Sequence, residues 1–219
     1  MDPFSKLPAE IRLQVIICSE SEASIMQLIR ASLTMLAQYV TCRKSIMKSI
    51  VRSLLRSDTS GALLQDALRI IRFPSLDFTS SPESISGILE RWMSQRHSDA
   101  LAPTDYGTIQ KLYSLLSRMV MFIEDYVSKA TDPFPPRAYL TLPAFISGGT
   151  GMHFMGRNVD IKRAQFSEFT TSERNAFLRA FLRYELLCKV YHPQVWDLVK
   201  QSSYPDLVKT LNDELEPIG

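Results

Sequence analysis

Residues 105–129, DYGTIQKLYSLLSRMVMFIEDYVSK, decide the fold. Ile109, Leu112, Tyr113, Leu116, Met119, Val120, Ile123, Tyr126 and Val127 recur at three- and four-residue steps, which is the period of one helical face. Met121 and Phe122 widen that stripe beyond a coiled-coil seam, so the spacing predicts a central helix packed inside a bundle. Gly107 lowers helix propensity near the start without defeating the pattern.

Toward the N-terminus the same period continues in shorter pieces. Ser81 and Pro82 open a helix carrying Ile85, Ile88, Leu89, Trp92 and Met93, which ends near His97. Residues 62–72 place Leu63, Leu64, Ala67, Leu68, Ile70 and Ile71 on a broad apolar face that stops at Phe73-Pro74, because proline disfavours a helical residue before it. Before that, Lys44, Lys48, Arg52 and Arg56 form a basic stripe, with Met47, Ile50, Val51, Leu54 and Leu55 turned largely the other way. The stripe reads as a solvated helix face. It lacks the aromatic interleaving and basic-domain motif that would mark a nucleic-acid site.

At the N-terminus, Leu7-Pro8-Ala9-Glu10-Ile11 starts a helix near Pro8, where the missing N–H costs nothing, and Glu10 lies at the positive end of the helix dipole. Leu13 to Cys18 is apolar on more than one side, so this helix wants neighbours on two faces. Ser19 to Glu22 interrupts it. Ser24 is the expected cap of a second helix, on which Ile25, Leu28, Ile29, Ser32 and Leu36 follow helical spacing.

Toward the C-terminus, residues 132–170 break the pattern. Pro133, Pro135, Pro136 and Pro143 together with Gly148, Gly149, Gly151 and Gly156 exclude a regular helix. Phe134, Tyr139, Leu140, Leu142, Phe145, Ile146, Met152, Phe154 and Met155 nevertheless supply apolar groups to dock the segment, which predicts an ordered irregular excursion with a strand pair at 139–142 and 153–155. Thr170-Thr171-Ser172-Glu173 is a capping box that restarts a helix reaching Tyr191, with Phe177, Leu178, Phe181, Leu182, Tyr184, Leu187 and Cys188 along it. Pro193 then marks the stop before short helices around 195–200 and 205–215.

At 219 residues, 45% hydrophobic and 22% charged, the chain has the composition of a globular protein with room for one large core or two small ones. No apolar run is long enough to span a bilayer, and the first residues lack the basic start of a secretory signal, which implies an intracellular protein without a membrane partner. Cys18, Cys42 and Cys188 are odd in number and far apart, which fits reduced thiols in the core rather than a disulfide framework.

The search for chemistry returns weak patterns. Gly148-Gly149-Thr150-Gly151 lacks the Lys-Ser/Thr ending of a phosphate loop and reads as a turn. Cys188 and His192 are one helical turn apart, but two ligands do not make a metal site, so they read as a core thiol beside a helix-end imidazole. Glu124, Asp125 and Asp160 have no partner motif for acid-base work, and Trp92, Trp196, Met119 and Met121 read as packing. No catalytic, cofactor or metal residue is assigned.

Leu7, Pro8, Glu10, Ile11, Ile16, Ile25, Leu28 and Ser32 fall where the signature of the F-box places its residues, so the first quarter of the chain resembles that three-helix module. Ser19 stands where the family often has an apolar residue, and Leu33, Thr34 and Met35 follow Ser32 without the family's tryptophan. The run from Phe181 to Tyr191 is similar to filamentous-fungal F-box-like proteins. The resemblance implies a substrate adaptor of a cullin-RING ubiquitin ligase, with Leu7, Pro8, Ile11, Ile16, Ile25, Leu28 and Ile29 forming or supporting the surface that takes the Skp adaptor, and a protein substrate held elsewhere. The expected architecture is all-α: an F-box-like module over 1–57 packed on a larger helical region over 58–219, interrupted at 132–170. The competing reading is a helical enzyme or small apolar-ligand protein with a pocket between the long helices and that segment.

Overall fold

The central helix forms where the periodicity places it. In a computed structural model, which describes residues 2–19, 22–56, 58–73, 105–131, 151–154, 157–160, 164–199, 205–206 and 208–210, the helices in chain order are α1 (Ala9–Cys18), α2 (Glu22–Ala31), α3 (Leu33–Leu54), α4 (Ala62–Arg72), α5 (Tyr106–Ala130), α6 (Thr171–Val190) and α7 (Pro193–Val199). Short 3-10 turns at Pro3–Lys6 and Phe166–Glu168 precede α1 and α6. The architecture is all-α apart from one hairpin of β1 (Gly151–Phe154) and β2 (Arg157–Asp160).

Helix α5 is the hub. The Asp105 carboxylate accepts the Thr108 N–H at 3.1 Å and caps it. Ile109, Leu112, Leu116, Met119 and Ile123, spaced three or four apart, are buried. Helices α3, α4 and α6 pack around it, α4 also packs on α6, and α1 and α2 pack on α3. One continuous cluster of buried apolar side chains runs from Ile16 through Met35 and Leu68 to Leu178 and Val190.

The N-terminal helices are cut differently from the expectation. Ser24 lies inside α2, which begins at Glu22, so it is not the cap. Ser32 is not a helical residue of the same element: its backbone is extended, its hydroxyl oxygen accepts the Met35 N–H at 3.1 Å, and it ends α2 by capping α3. Leu36 therefore belongs to α3. Buried Ser32 finds a second partner in Asp2, whose Oδ2 accepts its hydroxyl proton at 2.6 Å and the Thr34 N–H at 3.1 Å, while Oδ1 accepts the Phe4 N–H at 2.9 Å. This long-range tie is what turns the chain at Ser32.

The capping box forms as expected, with the Thr170 N–H donating to Glu173 Oε2 at 2.8 Å and the Glu173 N–H donating to Thr170 Oγ1 at 3.3 Å. In the described part of the irregular segment, Phe166 is buried and makes edge contact with Phe169 at 6.0 Å, and Arg174 lies over its ring at 5.6 Å. The strand expected at 153–155 pairs with Arg157–Asp160, with Phe154 opposite Arg157. Residues 139–142, the helix expected over 82–97 and the glycines at 148 and 149 lie outside the described residues.

Candidate functional site

Helix α3 carries two apolar faces. Successive residues advance by about 100°, so Met35, Tyr39, Cys42 and Ile46 share one face, which is buried or half-buried against the core. A second sector holds Leu33, Leu36 and Val40 and, about five turns further along, Val51 and Leu54. Its C-terminal part is covered: Met47 and Val51 are buried and Leu54 packs on the core. Its N-terminal part is in water, with Leu33 81% and Val40 65% exposed and Leu36 beside them.

The residues named from the sequence divide by burial around this surface. Ile16, Ile25 and Ile29 are core. Leu7 and Leu28 are half-buried, Pro8 is exposed, and Ile11 is 48% exposed. The hydrogen bonds of Asp2 to Ser32 and Thr34 hold the turn that precedes Leu7 and Pro8 against the start of α3. Met26, Leu33, Leu36 and Val40 were not singled out as partner-binding, yet all are exposed. The signal for them was the reading of Ser32 as a cap, which starts a new helix at Leu33 and aligns 33, 36 and 40.

Beyond Val40 the outer face of α3 turns basic. Arg43, Lys44 and Arg52 are exposed, as is Arg56 just past the end of the helix, and Lys48 is half-buried, as expected of a solvated stripe. Their position next to the apolar sector makes the whole surface apolar at one end and cationic at the other, a pattern that favours a partner with apolar anchors and acidic flanks.

A second concavity lies between α5 and α6. Its volume is about 390 Å³, and it is lined by Met119, Phe122, Asp125, Tyr126, Lys129 and Ala130 from α5 and by Phe181, Tyr184 and Glu185 from α6. Tyr126 and Phe181 meet edge to face at 5.9 Å. Lys129 Nζ donates to Asp125 Oδ2 at 2.6 Å, and Arg118 donates to Glu185 Oε1 at 3.0 Å. Tyr184 is exposed, and its hydrogen bond to Cys188 one turn on raises its pKa above the ordinary phenol range. Charges held in pairs fit binding rather than acid-base catalysis here.

The weak chemical candidates resolve individually. Glu124 Oε1 accepts the Phe166 N–H at 2.8 Å, and Ser128 accepts the Ala164 N–H at 2.9 Å, so this stretch of α5 clamps the chain ahead of α6. Cys188 and Cys18 are exposed, on sides of their helices left over by the Ile and Leu residues that pack, which corrects the expectation of three core thiols; Cys42 is half-buried and packs against the core. Cys188 pairs with Tyr184. Among the described residues no group of three metal-ligating side chains occurs, and no helix is long and apolar enough to cross a membrane.

Among the described residues one buried carboxyl has a shifted pKa. Asp66 on α4 is buried, and desolvation raises its pKa, opposed by Arg69, whose guanidinium lies 3.3 Å from Oδ1, and by Arg183 and Arg179 of α6. No family model matches the chain, and no curated protein or solved structure is similar to it.

Proposed function

We propose that the chain is a non-catalytic interaction protein of the F-box type, whose N-terminal helices bind the Skp adaptor of a cullin-RING ubiquitin ligase and whose remaining helical region serves a protein substrate. The observation that carries this reading is the concentration of water-exposed large apolar side chains in α1 to the first half of α3, at Ile11, Met26, Leu33, Leu36 and Val40, beside Leu7 and Pro8. Soluble proteins seldom leave apolar residues grouped in this way unless a partner covers them. The resemblance of Leu7-Pro8-x-Glu10-Ile11 to the F-box opening names the partner, and the buried Ile16, Ile25 and Ile29 would hold the surface in shape.

The test is direct titration of the intact chain with a purified Skp adaptor. Saturable binding is expected, and the double change Leu7→Ala with Pro8→Ala is expected to weaken it by about 2 kcal/mol, since a few central anchors dominate such interfaces. Absence of binding by the folded chain, or full binding by the folded double variant, would overturn the assignment.

A further inference from the structure

We infer that the groove between α5 and α6 is a binding site for a neutral, flat aromatic small molecule of about two fused rings, an activity separate from adaptor binding. Size comes first. A cavity of about 150 Å³ holds benzene, and the 390 Å³ here accommodates a larger ring system while lying at the lower end of ordinary ligand sites. Two rigid helices form the walls, and α6 starts from a complete capping box.

Shape and polarity follow from the lining. Buried Met119 is part of the lining, a polarisable thioether suited to ring edges. Tyr126 of α5 and Phe181 of α6 are in edge contact, and with Phe122 and Tyr184 they give the groove an aromatic lining that a planar ligand would meet in stacked or edge-on geometry. Tyr126 and Tyr184 remain largely in water, and the Tyr126 hydroxyl can serve a polar substituent.

The charges decide that the occupant is neutral. Lys129, the cation of the lining, is bound to Asp125, and Glu185 of the lining is bound to Arg118 just outside it, so the charged groups of the wall are already paired. An anionic ligand would have to pull Lys129 from Asp125, and a cationic one would have to compete with Lys129 or Arg118. Either leaves a partly buried charge without its partner, a penalty that a neutral ring system avoids.

A matched series on one ring system tests this: 2-naphthol, 2-naphthoate and 2-(aminomethyl)naphthalene, titrated into the full chain and followed by amide chemical shifts. Saturable shifts confined to 119–130 and 181–185 are expected for 2-naphthol, with both charged analogues weaker by about tenfold or more. Tyr184→Ala, at an exposed position, should lower 2-naphthol affinity by about tenfold, whereas Tyr106→Ala, outside the groove, should leave it unchanged. Asp125→Asn, which releases the Lys129 ammonium, should raise 2-naphthoate affinity by about tenfold. No saturable binding of 2-naphthol, equal binding of all three probes, insensitivity to Tyr184→Ala, or preference for a tryptophan-bearing peptide over the free ring would overturn the inference.

Discussion

Ser32 shows how one side chain redirects the chain. Its hydroxyl accepts a proton from Met35 and donates one to Asp2 in the same buried position, so two segments about thirty residues apart in sequence are joined at a helix start. Ser32→Ala removes both bonds, and the expected loss is about 1–2 kcal/mol, the range of N-cap deletions, read by urea denaturation. The hydrogen bonds from Ser32, then Thr34, hold the Asp2 carboxyl below its ordinary pKa of 3.8, so what it contributes is present above that pH and is lost as pH falls through the lower folded value. Asp66 runs the other way. Burial raises its pKa above 3.8, so its contribution is complete below that value and declines as pH rises through the folded pKa. Denaturation of wild type and Asp66→Asn across a pH series should therefore show wild type losing stability relative to the variant as pH rises. A constant difference between the two would mean that Asp66 ionises without cost.

At the scale of elements, α5 does two jobs with its two ends. Its N-terminal and middle turns supply the core, while Glu124 and Ser128 near its C-terminus hold the backbone of residues 164–166. Glu124→Ala should leave α5 folded, because an exposed-side Ala is the best helix former, but should release the Phe166 amide. Hydrogen exchange at Phe166 and Phe169 should accelerate in that variant while Leu112 and Leu116 stay protected, since local opening is independent of the core. Unchanged exchange at Phe166 would show that ring packing on Phe169 and Arg174 holds the turn without the carboxylate. Most of these elements were legible beforehand. The stripes of α4 and α5, the Thr170 to Glu173 box and the outward basic face of α3 follow from helical period and capping chemistry, which are local, whereas Tyr184 and Cys188, read among the apolar residues of α6, are exposed. What local rules missed was the break at Ser32, because its competing partner, Asp2, lies at the far end of another segment.

For the whole molecule, the division between buried and exposed apolar residues sets the division between stability and binding. Leu112→Ala, in the middle of the bundle and fully buried, is expected to cost about 2–5 kcal/mol. Leu33→Lys with Val40→Lys should change stability by no more than about 0.5 kcal/mol per site, as exposed substitutions do, and should abolish adaptor binding. Thermal unfolding paired with adaptor titration checks both, and a double variant that binds normally would remove the α3 sector from the proposed interface. Because the proposed adaptor surface lies on α1–α3 and the proposed ligand groove between α5 and α6, each proposal can fail without the other.

The sequence by itself determined that the chain is helical, where its longest helix runs and how α6 begins, because hydrophobic period and caps act over a few residues. It also placed the Leu7-Pro8 opening at a helix start. Only the tertiary structure decided which apolar residues are core and which remain in water. Leu33 and Val51 share one helical sector and the same side-chain chemistry, yet one lies in solvent and the other is sealed. The difference is set by whether another helix packs over that turn of α3, and no local pattern within α3 encodes its neighbours.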